Sequence, residues 1–230
     1  MVINAVNKLL SVIFLNLLMT INTDSETAIS LAPEHEIMCF PGTSARRGNE
    51  MSAYLLVLFA ILSRYVVASH HDWLNFTAVG GSLLFFGARR SLRQMFLPVI
   101  ALAGMDYFMT TYVYGYPFHA QDYLVTWAWY AAVIVLGNLL LRSRQSAARV
   151  AAAVVLSSTS FFLASNFVAW SVLPGIYPHT FSGLMSAYVA GLPFYRNDLL
   201  STTLVAGLAF GLPALAHYWT AHHSTAGRAA

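Results

Sequence analysis

From Met51 onward the chain alternates between long apolar runs and short polar loops. Six runs stand out, at residues 52–68, 75–87, 95–111, 123–141, 150–172 and 199–219. A membrane-crossing helix needs about 20 mostly apolar residues, with tolerance for shorter ones. The second run falls short of that length, which predicts a tilted helix or one extending into its loops. A seventh stretch, residues 180–192, repeats small residues at Gly183, Ala187 and Gly191. It predicts a short amphipathic helix at the surface, docked on the bundle through that stripe. The expected fold class is an all-α membrane protein, a six-transmembrane-helix bundle with this short helix between spans five and six. Pro98 and Pro213 fall inside predicted helices, where membrane bundles tolerate them. Thr203, Gly207 and Gly211 form another stripe of small residues, expected to pack inside the monomer.

The charges give this pattern a direction. Arg89, Arg90 and Arg93 load one short loop, and Arg142, Arg144 and Arg149 load another, while residues 111–122 carry no basic residue. Lys and Arg in short loops stay cytoplasmic, so both termini are expected in the cytoplasm of a bacterial inner-membrane protein. The connections 69–74, 112–122 and 173–198 then face outward. They hold Trp73, Tyr112, Tyr114, Tyr116, Tyr177 and Tyr195, as an interfacial aromatic belt would.

Composition narrows the class. Hydrophobic residues make up 58% of the 230 residues and charged residues 9%, against about 25% charged in a soluble domain. The partner this implies is the lipid bilayer. Eleven of the twelve basic residues are Arg, and none builds the interleaved basic patch that nucleic acid requires. The lone Cys39 supports neither a disulfide framework nor a cysteine metal site.

Residues 1–50 differ from the rest. An apolar stretch at residues 9–19 follows Lys8 and mimics a signal peptide; Asp24, Glu26, Glu34 and Glu36 come next, then Arg46-Arg47-Gly48. A cleaved signal would reverse the orientation that the downstream arginines demand. Translation from Met51 resolves the conflict, since codons for Arg-Arg-Gly can spell a purine-rich ribosome-binding sequence just upstream. The alternative is an additional helix with an outside N-terminus. The division expected is an extension over residues 1–50, a membrane domain over 51–220 and a cytoplasmic tail over 221–230.

Against this topology a few polar residues stand out. Arg64 falls in the outer half of span one, Asp106 in that of span three, and Asn166 in that of span five, with Trp170 one turn beyond. The acids after Met51 are Asp72, Asp106, Asp122 and Asp198, all placed outside or in the outer half, and Arg196 joins them there. Charges at membrane depth face the bundle interior or a water-filled cavity. Two readings follow: Arg64 and Asp106 pair to fix helix register, or Arg64, Asp106, Asn166, Trp170 and Arg196 line or gate an outward cavity for a polar or anionic solute. A weaker alternative is a metal site from His70, His71, His119 and His179, without recognised ligand spacing. Ser157, Ser158, Thr159 and Ser160 lack the elbow of a serine hydrolase. No phosphate-binding glycine loop is present, so neither an enzyme nor a cofactor is expected.

The stretch Ser165-Asn166-Phe167-Val168-Ala169-Trp170, followed by Tyr177-Pro178-His179-Thr180 and Leu192-Pro193-Phe194-Tyr195-Arg196-Asn197, resembles a family of small uncharacterised bacterial integral membrane proteins. That resemblance covers residues 51–215 and implies no defined activity. Six helices, both ends inside and a polar outer cavity are also similar to the substrate-capture component of energy-coupling-factor vitamin transporters. This second likeness implies a vitamin-like or anionic solute and a separate energising module. The AxxxA docking motif of that component is not present, since span one has Ala53 and Ala60 at a different spacing. The expected function is solute binding for transport, with a non-transport membrane scaffold or cell-envelope subunit as the alternative.

Overall fold

A computed structural model describes the backbone of residues 43–68 and 76–226, and the side chains of residues 51–68 and 76–215. The apolar stretch at 9–19, the acidic segment after it, His70, His71, Asp72 and Trp73 lie outside the described residues. All regular structure among the described residues is helical: α1 (Thr43–Ala68), α2 (Val79–Arg89), α3 (Phe96–Phe108), α4 (Leu124–Leu141), α5 (Ala147–Val172) and α6 (Phe181–Ala226). Five segments are long and apolar enough to cross a membrane, namely Met51–Ala68, Leu92–Val113, Ala120–Leu141, Ala147–Val172 and Phe181–Leu215. Large apolar side chains such as Leu55, Leu58, Phe59, Ile100, Leu204 and Leu208 stand exposed along these helices, where a bilayer would cover them.

The predicted second span departs from this set. α2 has 11 residues, about 16 Å of helix and half the hydrocarbon thickness. Every residue from Val79 to Ala88 is buried, and α2 packs against α4, α5 and α6. Enclosure by protein explains the short length, because a helix wrapped by its neighbours has no need to reach either interface. Two glycines permit the closest approach. A Cβ on Gly87 would run into the Ile134 carbonyl, and one on Gly137 into the Leu84 carbonyl. The core forms around this crossing, with Leu83, Leu84, Phe86, Leu102, Ile134 and Leu141 fully buried.

α2 ends where the arginines begin. Arg90 donates from Nη2 to the Tyr54 hydroxyl at 3.2 Å and stacks 5.0 Å above that ring, which ties this end of α2 to α1. Pro98 sits in the first turn of α3, where its missing N–H leaves no helical bond unmade. α3 then widens into a π-helical turn over Met109–Val113, and Gly115 adopts a left-handed φ of 70° in the turn beyond. Ser146 caps α5 by accepting from the Arg149 N–H at 3.3 Å.

The largest correction concerns α6. Residues 180–192, expected as a separate surface helix, are the opening turns of one continuous 46-residue helix. The Thr180 hydroxyl caps it by accepting from the Gly183 N–H at 3.1 Å. Its small residues do dock: Ala187 is buried and Gly191 lies directly against the Asn166 side chain on α5. The second stripe behaves otherwise, because a Cβ on Gly207 or Gly211 would meet no atom within 4 Å. Among the described residues nothing packs on those two glycines, where packing inside the monomer is expected. Pro193 and Pro213 both lie within α6.

This continuity moves Asp198. The sequence places it, with Tyr195 and Arg196, in an outward connection. In the structure Asp198 stands at the centre of the Phe181–Leu215 segment, with about 25 Å of helix on either side.

Candidate functional site

Two polar centres lie inside the bundle. The first joins α1, α3 and α4. The Arg64 guanidinium on α1 meets Asp106 Oδ1 on α3 at 2.6 Å, with the Asp106 side chain fully enclosed and Arg64 23% exposed. Its other terminal nitrogen donates to the Tyr130 hydroxyl. The Trp127 indole N–H donates to Asp106 Oδ2 at 2.9 Å, and the Tyr130 hydroxyl reaches the same oxygen at 3.4 Å. Trp127 and Tyr130 are one turn apart on α4, so both project toward α3 from one face. Thr110 Oγ1 closes the cluster from below, donating to the Asp106 carbonyl at 2.8 Å and contacting the Tyr123 hydroxyl. Next to Arg64, Ser63 Oγ accepts from the Ala78 N–H at 3.0 Å, just ahead of α2.

Both carboxylate oxygens of Asp106 and both terminal nitrogens of Arg64 are thus engaged by protein groups. The pairing expected between Arg64 and Asp106 is present. The fork that was to hold a solute is already filled.

The second centre is a cavity of about 240 Å³ between α5 and α6. Its polar wall consists of Ser158, Ser165, Asn166, Tyr195 and Asp198, and Phe161, Phe162, Ala169, Gly191 and Phe194 line the rest. Asp198 is 7% exposed. Its Oδ2 and the Ser158 Oγ are buried without a hydrogen-bond partner among the described residues. The Ser158 side chain stands beside the Asp198 carboxyl. Asn166 spends its Nδ2 on the Phe162 carbonyl at 2.8 Å, which leaves its oxygen toward Gly191 and the cavity. The Tyr195 hydroxyl pairs with Thr159 Oγ1 at 3.0 Å. Among the described residues no Arg, Lys or His lines this cavity, so its polar groups bring no positive charge.

The five residues expected to share one outer cavity are therefore dispersed. Arg64 and Asp106 belong to the first centre and Asn166 to the second. Trp170 donates its indole N–H to the Pro178 carbonyl at 2.9 Å and meets His179 edge-on at 5.4 Å, so it staples the α5–α6 connection. Arg196 is exposed on the outside of α6. His119 and His179 stand on different connections, and no group of three His, Cys, Asp or Glu forms among the described residues. Asp198 and Ser158 were missed as a pair. The signal available was a serine run in the middle of one apolar helix and an acid in the middle of another, hidden by Pro193 and Arg196-Asn197, which make that acid look like part of a loop.

Five helical segments long and apolar enough to cross a membrane, around a short buried helix and two enclosed carboxylates, give the all-helical architecture expected of an integral membrane protein. Within that class the chain belongs to the DUF6580 family, a family of unknown function, whose model matches residues 46–224. Comparison with curated proteins and with solved structures returns no match.

Proposed function

We propose that this is a small-solute transport or solute-capture protein of the membrane, and that its solute is a small cation held at Asp198. One observation carries the reading: a carboxylate enclosed midway along a helix long enough to cross a membrane borders a largely apolar cavity to which Ser158, Ser165, Asn166 and Tyr195 add polar groups and no described residue adds a cation. An isolated ionised carboxylate at that depth is strongly disfavoured. The group is stable either protonated or facing a bound cation. A cation entering from solution would displace the proton, which leaves to bulk water, so one site serves the two ions in alternation. Ser158, Ser165 and the Asn166 oxygen supply the additional oxygen ligands that a hard monovalent cation or an ammonium group favours. At about 240 Å³ the cavity has room for such an ion together with several waters of its hydration shell. In this reading the solute's charge is opposite to that of the anion suggested by Arg64. The arginine-loaded helix ends face the cytoplasm of a bacterial inner membrane.

The test is reconstitution of the full chain in liposomes holding a pH-sensitive dye, followed by pulses of Na⁺, K⁺ or methylammonium. Wild-type protein is expected to release or take up protons on at least one pulse, and Asp198→Asn to abolish the signal. An Asp198→Asn response equal to that of wild type would overturn the reading. A second reading, a structural scaffold, is favoured by the fully partnered Arg64–Asp106–Tyr130–Trp127 cluster. It predicts no ion response in wild type and a loss of bundle stability as the main effect of Arg64→Ala.

A further inference from the structure

At the arginine-loaded end of the same two helices, a larger cavity of about 600 Å³ opens between α5 and α6. It is distinct in both position and chemistry from the Asp198 cavity. Its floor is apolar, formed by Val150, Val154, Gly207, Phe210 and Gly211 among others. The two glycines leave it open, since no atom of the described residues approaches within 4 Å of where their side chains would begin. Thr203 and Ala214 mark its extent along α6, about 16 Å of helix and hence one leaflet of hydrocarbon.

The mouth of the groove is not apolar. Arg89, Gln145 and Ser146 close the end where α5 begins. The Arg89 guanidinium donates to Gln145 Oε1 at 3.2 Å and lies 5.2 Å above the Phe85 ring, which holds it at the rim. Its buried Nε–H has no acceptor among the described residues. Ser146 caps a 26-residue helix, whose first N–H groups and dipole also favour negative charge. Arg142, Arg144 and Arg149 are nearby in the chain and raise the positive potential at this end. A trough one leaflet deep, apolar along its length and cationic at its interfacial end, is complementary to a single kind of molecule.

We infer that this groove is a binding site for an anionic phospholipid, with an acyl chain lying over Gly207 and Gly211 and the phosphate held by Arg89 at the start of α5. Basic pockets between helices at the cytoplasmic face are a recognised mode of headgroup recognition, and the planar guanidinium fork matches phosphate. The lipid would fill the space that the glycine stripe leaves open and would hold α5 against α6.

The experiment is thermal unfolding and native mass spectrometry of the purified full chain in detergent, titrated with phosphatidylglycerol, with phosphatidylcholine or with inorganic phosphate. Phosphatidylglycerol is expected to bind and raise the unfolding temperature well beyond phosphatidylcholine, and inorganic phosphate to do nothing. Arg89→Gln should weaken phosphatidylglycerol about tenfold, the loss of one charge-assisted hydrogen-bond set, while leaving phosphatidylcholine unchanged. Gly211→Leu, which fills open space, should weaken both lipids, and Gln145→Leu gives a second, milder variant at the mouth. An unchanged phosphatidylglycerol preference in both Arg89→Gln and Gln145→Leu would overturn the inference, as would an equal effect from inorganic phosphate. A dimer in lipid-free detergent that Gly211→Leu abolishes, with no lipid effect, would assign the groove to a second copy and also overturn it. Neither result bears on Asp198, whose ion response is read separately.

Discussion

Asp106 and Asp198 are both buried carboxylates on membrane-crossing helices, yet their surroundings are opposite. Around Asp106 the protein supplies a guanidinium, an indole N–H and a phenol from two other helices. Around Asp198 it supplies a cavity, hydroxyls and an amide oxygen, and no cation. A charge in a low-dielectric interior must be completed by something. Where the chain completes it, the result is a fixed joint between helices. Where it does not, completion is left to a proton or an ion from outside, and the group is free to change state. In the reading proposed above, this difference separates a structural carboxylate from an ion-binding one more sharply than burial alone, which is nearly the same for both.

The strongest way to break this contrast is to remove one partner of the first pair. Arg64→Ala or Asp106→Ala should destabilise the bundle by about 3–5 kcal/mol, because the remaining charge is left buried and alone. Chemical denaturation in detergent would measure it, and the double variant Arg64→Leu with Asp106→Leu should lose much less than the sum of the two. An additive result would show that the two charges are not coupled. Next in size, Trp127→Phe removes one hydrogen bond to a charged acceptor, for a loss of about 1.5–3 kcal/mol in the same assay. A comparable loss, about 1–3 kcal/mol, is expected of Gly137→Ala, since the new methyl group would push against the Leu84 backbone; equal stability would mean that the α2–α4 crossing is looser than it looks. The smallest effect on stability belongs to Asp198→Asn, a change within about 1 kcal/mol, because no protein cation is orphaned. That neutrality in unfolding, combined with a lost ion response, is the sharpest outcome for the comparison.

Much of the first centre is legible in the sequence. Two opposite charges at matching depth on separate apolar spans have little choice but to meet, and the arginine alternation supplies the depth. The second centre is not legible in that way. Pro193, Arg196 and Asn197 are the residues that ordinarily end helices and start loops, so Asp198 reads as a loop residue. Packing against α5 keeps the chain helical through Pro193, with Gly191 on Asn166 and Ala187 buried just before it. Local signals lose to a long antiparallel contact that a linear reading does not contain. The same limit applies to the stripe at Thr203, Gly207 and Gly211: spacing shows that backbones can approach there, not whether a neighbour does.

The amino-acid sequence by itself determines the class of this protein, since a chain with 58% hydrophobic and 9% charged residues, cut into runs of near-bilayer length, has no soluble way to bury itself. It also determines which end of the bundle carries the arginines. Only the tertiary structure decides which apolar run is enclosed by the others, which aspartate is paired, and which cavity stays open. Hydropathy measures each segment's preference for lipid over water, whereas enclosure, pairing and vacancy depend on which neighbours the segment meets.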